Sequence, residues 1–407
     1  MLDFNFSQEQ EMVRKTVREY AQAELAPIVE DLDKLGSIPP NIIAELAEIG
    51  LLGVTTQVEY GGIDADPVMA GIIAEELARG DITCSIPTFY LVSAAWADIL
   101  ERYGTDAAKR AILPNVCNGT AFLGIAATEP DVGSDLGNMR TVARKEGDSF
   151  ILNGEKMFIS GVKEVCETLP NGGGYVLLAK TTPEKGTRGI SLFYVPLRDE
   201  SGPTPGVSHN VLDDWGRKGI SAGGFAMEDV EIPADYLIGE YDRGFYLTME
   251  GFDYARAIIG LVCCGVAQSC MEQAMEYIKM RSTFGTPIAK YQGVQFKLAE
   301  NWTKIEAMRL LAYRALWTYS RALAGEDVGR FEVTQACAEA KLMAPMMAFE
   351  AVNDAIQWYG AFGYTKECPL TYALEGVRSY YWAEGAAEIM RIIVARELLG
   401  KEYVAYR

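Results

Sequence analysis

Apolar residues recur three and four positions apart through the first third of the chain, alternate with polar ones through the middle, and return to helical spacing towards the end. Val13, Val17, Tyr20, Ala21 and Leu25 share one face of a predicted helix, opened by a Ser7-x-x-Gln10 capping pattern and closed by Pro27. Asp66-Pro67 sets an N-cap ahead of a proline at the first helical position, and Gly80 stops that helix after Arg79. Residues 1–120 thus read as an N-terminal helical domain. Within 121–238, Leu152-Asn153-Gly154-Glu155 predicts a hairpin turn between Ser149-Phe150-Ile151 and Met157-Phe158-Ile159. Residues 175–179 and 190–195 read as further strands, with Gly, Pro and Asp between them and no helical pattern. That spacing predicts a central antiparallel sheet or barrel rather than a dinucleotide-binding βαβ unit. From 239 to 407, long Ala-, Leu-, Met- and Glu-rich segments predict a bundle of long antiparallel helices. The class is α+β, ordered helices, sheet, helices.

Composition narrows the chemistry. At 407 residues the chain exceeds one ordinary core, and 49% hydrophobic with 23% charged residues is common globular composition. The longest unbroken apolar run, 257–267, is too short to span a bilayer, so no membrane insertion is expected. Met1-Leu2-Asp3-Phe4-Asn5-Phe6 carries neither a basic nor a hydrophobic leader segment. A net charge of −19 argues against nucleic acid and anionic membranes, so any anionic ligand needs locally placed basic groups and backbone amides. Eight cysteines show no metal-binding spacing, and free thiols in a reducing cytoplasm are the expectation. His209 is the sole histidine and lies in a Gly/Pro-rich loop, so His-centred triads and multi-His metal sites drop out. No metal is expected, and a carboxylate is the economical base.

Six segments carry candidate chemistry. Ala383-Glu384-Gly385-Ala386-Ala387-Glu388 places a carboxylate and a glycine just before a helix. Gly124-Ile125-Ala126-Ala127-Thr128-Glu129-Pro130-Asp131-Val132-Gly133-Ser134-Asp135 offers backbone amides and hydroxyls suited to a flavin edge or phosphate, though most such loops are plain turns. Asn153-Gly154-Glu155-Lys156-Met157-Phe158-Ile159-Ser160-Gly161 is ordinarily a hairpin with a core aromatic. Arg281-Ser282-Thr283-Phe284-Gly285, running on to Gln292, begins with an arginine of the kind that usually compensates a helix dipole. Gln357-Trp358-Tyr359-Gly360-Ala361-Phe362-Gly363-Tyr364 supplies glycines for close backbone approach. Phe252-Asp253-Tyr254-Ala255-Arg256 reads alone as an i,i+3 ion pair on a helix.

Together, and in their order along the chain from Phe6 to Arg396, these segments resemble the flavin-dependent acyl-CoA dehydrogenases. The resemblance implies an N-terminal helical domain, a central β-barrel or sheet and a C-terminal four-helix bundle, with FAD as cofactor and an acyl-CoA substrate. Glu384 matches the catalytic base. Ile125, Ala127, Thr128, Gly133 and Ser134 match flavin and pyrophosphate contacts, Ser134 also lying near CoA. Phe158 matches the aromatic beside the isoalloxazine, and Ser160 the hydroxyl that bonds flavin N5. Arg281, Thr283, Phe284, Ile288 and Tyr291, with Gln357, Gly360 and Ala361, match positions reaching the FAD of a neighbouring subunit. A homo-oligomer follows, typically a dimer of dimers. Phe245, Met249, Asp253, Tyr254 and Arg256, with Ala383 and Gly385, match acyl-CoA contacts. Ala386 and Glu388 replace the family's FAD-contacting Thr and Gln, leaving the Glu388 carboxylate as an acceptor for ribose or adenine. One branch carries its base just before the position of Arg256; Ala255 stands there, which leaves Glu384.

By the same resemblance Glu384 removes the α-proton, flavin N5 accepts the β-hydride, and electrons leave to an electron-transfer flavoprotein. The Glu384 N–H and a flavin ribityl hydroxyl would polarise the thioester carbonyl. The alternatives are an ordinary short- or medium-chain dehydrogenase, an oxygen-using oxidase on the same fold, and a non-enzymatic flavoprotein scaffold. Ala383 stands where the family commonly has Tyr and removes volume from the acyl wall. That predicts a bulky branched, alicyclic or aryl-bearing acyl group, such as cyclohexanecarboxyl- or benzylsuccinyl-CoA. Phe89, Tyr90 and Trp96 are expected on the far wall, with Trp382 or Tyr254 as fillers. Should the acyl group carry a second carboxylate, Arg217 or Lys218 is its candidate partner, against the blander reading of a solvated loop charge.

Overall fold

Reciprocal capping opens the first helix. Ser7 N–H donates to Gln10 Oε1 at 3.0 Å and Gln10 N–H to Ser7 Oγ at 3.1 Å, fixing the start of α1 (Gln8–Tyr20). The computed structural model describes residues 5–403, so the leader reading of the first residues falls in part outside it. After α1 the backbone widens into a π turn over Ala21–Leu25 before Pro27, and α2 (Val29–Leu35) and α3 (Pro40–Glu48) follow. Asp66 caps α4 (Pro67–Gly80) by accepting from Met69 N–H at 2.9 Å. α5 (Ser85–Tyr103), buried along most of its length, and α6 (Asp106–Cys117) complete the N-terminal helices.

The central sheet comprises β1 (Phe122–Ala126), β2 (Val142–Glu146), β3 (Ser149–Ser160), β4 (Gly173–Lys180), β5 (Ile190–Asp199), β6 (Gly202–Pro203), β7 (Val207–Val211), β8 (Ala222–Pro233) and β9 (Leu237–Ile238). Its order is β6-β5-β4-β2-β3-β8-β7, with β1 beside β4 and β9 beside β5. Pairing is antiparallel except that β1 and β2 each meet β4 in parallel, so the sheet is mixed.

Asn153-Gly154 is not a turn. β3 runs through it, and the hairpin to β2 turns instead at Gly147, where φ is +57°. At Gly154 (φ +148°) the register against β8 shifts, and a Cβ there would come 2.5 Å from Thr141 Oγ1. The Asn153 side chain donates to Asp229 Oδ1 and accepts from Asp229 N–H, both at 2.9 Å. A dipeptide suited to a tight turn here makes a β-bulge, because its amide and missing Cβ serve either geometry.

The C-terminal region packs three long helices on one another: α7 (Gly244–Met280), α8 (Gln292–Leu323) and α9 (Arg330–Trp358). A small hairpin of β10 (Ser282–Thr283) and β11 (Thr286–Pro287) joins the first two. α10 (Leu370–Ser379) and α11 (Ala387–Leu399) close against α9. α7 has an 18-residue window of mean hydropathy 1.4, long and apolar enough to cross a membrane, yet that window is entirely buried. α4, α5, α8 and α9 enclose it, so its hydropathy is that of a core helix.

Candidate active site

A cavity of about 1290 Å³ lies between one end of the sheet and the bundle. The strand that carries Asn153 bulges a second time, between Lys156 and Ile159, and Phe158 takes φ +60°. Its ring is thereby turned out of the sheet, 66% exposed, onto the cavity wall beside Ser160. Ile125, Ala127, Thr128, Gly133 and Ser134 continue this wall from the end of β1. Met157 N–H donates to Thr128 O at 3.0 Å, which fixes the two segments together. Beneath them Lys156, wholly buried, donates to Ala127 O and to Glu129 Oε1, both at 3.1 Å. Glu129 also accepts from the N–H groups of Arg140 and Thr141. Burial pushes Lys156 down to about 8 against the pull of Glu129. Burial would raise Glu129, but Lys156 and these hydrogen bonds hold it below its ordinary range.

These residues fit a flavin. An aromatic face, a hydroxyl at Ser160 and a loop with open space at Gly133 all face the cavity, and no side chain among the described residues fills it.

The opposite wall is built on a buried carboxylate. Asp253 Oδ1 accepts from Arg256 Nη1 at 2.9 Å, and Oδ2 accepts from Arg330 Nη1 at 2.5 Å and Thr334 Oγ1 at 2.8 Å. Arg256 then donates its Nε to Glu384 O at 2.9 Å. Lys341, buried in α9, donates to Gly385 O and, at 3.4 Å, to Tyr381 O. Two cations therefore hold the consecutive carbonyls of Glu384 and Gly385, stabilising a residue whose φ is +57°. The Glu384 N–H makes no hydrogen bond among the described residues. Its Oε2 is buried without a partner.

Burial raises the Glu384 carboxyl to about 7, against the opposing pull of Arg256, Lys341 and Arg217. Burial and Arg256 together lower Lys341 to about 8. If Glu384 serves as a base here, only its carboxylate form accepts a proton, and kcat/KM should rise with pH through an apparent pKa near 7. An acid limb centred near an ordinary glutamate value, about 4.3, would show that the pocket does not tune this group.

Of the residues singled out from the sequence, Phe245, Met249, Asp253, Arg256, Ala383, Glu384, Gly385 and Ala386 also line the cavity. Tyr254 does not; one step round α7 from Asp253, it is fully buried and stacks on Tyr319 at 4.9 Å. Phe89, Tyr90 and Trp96 are likewise core residues, and α5 presents Val92 to the cavity instead. Glu388 is exposed and paired with Arg391 at 3.2 Å, off the wall. Arg281, Thr283, Phe284, Ile288, Tyr291, Gln357, Gly360 and Ala361 also lie outside it. They gather at one end of the bundle, where Tyr277 of α7 stacks on Tyr359 at 4.1 Å and Phe284 stands fully exposed on its hairpin.

Sequence reasoning passed over Lys156, Arg330 and Lys341. A signal existed for the last: Cys337, Ala344 and Ala348 mark the buried face of α9, and Lys341 falls in the same stripe.

Three family models match in succession: the acyl-CoA dehydrogenase N-terminal domain over 7–120, the middle domain over 124–230 and the C-terminal domain over 242–399. A 3-(aryl)acrylate reductase of Clostridium sporogenes is 33% identical over 97% of this chain and 99% of its own. The butyryl-CoA dehydrogenase of Megasphaera elsdenii superposes with a TM-score of 0.88 at 28% identity, covering 98% of this chain and 100% of that one. A chain in the structure of an electron transferring flavoprotein of Acidaminococcus fermentans superposes at 0.89 with 31% identity, covering 98% and 100%.

Proposed function

The chain belongs to the acyl-CoA dehydrogenase family, and on that premise we propose that it removes hydrogen across Cα–Cβ of a bulky acyl-CoA thioester, with Glu384 as base. FAD is the family's cofactor, and when bound it supplies the acceptor for the β-hydride. The observation carrying the reading is Glu384 itself: a buried, unpartnered carboxylate oxygen on a cavity wall, tuned to about 7.

The chain's own groups divide the work. Glu384 takes the α-proton, and the bonding pair left behind becomes the Cα=Cβ π bond as hydride departs from Cβ. The free Glu384 N–H is assigned to the thioester carbonyl, donating as negative charge develops there. Arg256 and Lys341 keep the peptide oriented for both tasks. Ser134, Phe245 and Met249 are assigned to the acyl-CoA, and Ile125, Ala127, Thr128, Phe158 and Ser160 to the flavin. The exposed Arg281–Tyr291 and Gln357–Ala361 segments are assigned to a neighbour's FAD within a homotetramer. Electron-transfer flavoprotein is the proposed acceptor and the cytoplasm the proposed location, in keeping with eight free cysteines.

Substrate shape rests on Ala383. It lies on the wall beside Trp382, whose ring also lines the cavity and is stacked beneath the Arg378 guanidinium at 4.8 Å. The aryl-acrylate relative is in keeping with a ring-bearing acyl group. Cyclohexanecarboxyl- and arylpropionyl-CoA should therefore exceed butyryl- and octanoyl-CoA in kcat/KM. Ala383→Tyr should depress the bulky esters selectively, by about 10-fold or more. A preference for the linear esters, or an equal loss on all of them, would count against this pocket.

A further inference from the structure

Six arginines line the cavity of a chain whose net charge is −19. Five are committed. Arg256 and Arg330 pair with Asp253, and Arg396 with Glu397. Arg243 lies over the ring of Tyr246, and Arg378 over those of Tyr381 and Trp382.

Arg217 is different. Among the described residues it has no ion pair, its Nε is buried with no hydrogen-bond partner, and its one bond donates Nη2 to Ser160 Oγ at 3.3 Å. Its backbone sits at φ +60°, an uncommon conformation for a non-glycine residue, and Gly219 N–H ties the loop to Ser85 Oγ at 3.0 Å. Arg217 lines the same cavity as Glu384, whose carboxyl its charge helps to hold down. Asp214, the cavity carboxylate in its field, forms no ion pair with it. Lys218 instead reaches towards Asp213 at 3.7 Å and does not line the cavity.

A half-satisfied guanidinium at a cavity wall is unfavourable unless a ligand completes it. A guanidinium is a planar fork of donors that can take both oxygens of a carboxylate. We propose that Arg217 recognises a second carboxylate, borne on the acyl group, so that the substrate is both bulky and anionic at its acyl end. This rests on the dehydrogenase reading above.

The test uses FAD-loaded enzyme with benzylsuccinyl-CoA, its methyl ester at the free carboxylate, and 3-phenylpropionyl-CoA. Turnover is followed with a dye acceptor, and binding by the shift of the flavin spectrum. Wild type should favour the free carboxylate by about 10²-fold in kcat/KM. Arg217→Met should collapse that ratio to within about threefold, and Arg217→Lys should keep part of it, having charge without the fork. A wild-type ratio near one, or a ratio that survives Arg217→Met, overturns the proposal. Loss of FAD from Arg217→Met with an unchanged ratio also overturns it, by assigning the guanidinium to the flavin. If no ester, linear or cyclic, reduces the flavin, the dehydrogenase reading fails on its own, and the binding ratio of carboxylate to ester still decides the role of Arg217.

Discussion

Glu384→Gln should lower turnover by about 10²- to 10⁴-fold while FAD and acyl-CoA remain bound. The substitution keeps the size of the side chain and removes the carboxylate proposed to accept the α-proton. Two other cavity carboxylates are held in hydrogen bonds, Asp253 by Arg256, Arg330 and Thr334, and Glu250 by Arg102 and Tyr103, while Asp214 and Glu375 also line the cavity. The Glu384 backbone N–H, proposed to donate to the thioester carbonyl, is untouched, so substrate affinity should change little. Dye-coupled turnover and a binding titration on the same preparation separate the two effects. Near-wild-type turnover would remove Glu384 from its role.

The second large effect concerns the support beneath that site. Asp253→Ala should cost about 3–5 kcal/mol in urea denaturation, because it leaves the buried Arg256 without its carboxylate. Arg330, more than a third exposed, can turn to water; Arg256, only 4% exposed in its side chain, cannot. The same change frees the guanidinium that fixes Glu384 O, so activity should fall along with stability. A loss below about 1 kcal/mol would mean that the arginines find other partners.

How much of this was legible in the sequence depended on how local the cause is. The Ser7–Gln10 capping box and the Asp66 cap are settled within four residues, and both form as the pattern implies. Asn153-Gly154 is also local, but whether it turns or bulges is decided by Thr141 and Asp229 on neighbouring strands. α5 is buried nearly all round, so its aromatic residues carry no periodic sign of which side meets the cavity. Tyr254 and Asp253 are adjacent in sequence yet point about 100° apart on α7, one into the core and the other to the wall. The residues that brace the site, Lys156 under the Thr128 segment and Lys341 under Gly385, act across elements distant in sequence. Spacing along one segment does not reveal such pairings.

Proton abstraction can be watched apart from redox chemistry. Oxidised, FAD-loaded enzyme incubated in D₂O with a 3-thia acyl-CoA, which the flavin cannot oxidise, should exchange the α-protons of that ligand, followed by NMR. Wild type is expected to exchange them, fastest above the apparent pKa near 7, and Glu384→Gln to bind the ligand without measurable exchange. Exchange by Glu384→Gln at the wild-type rate would contradict the assignment of Glu384 as the base.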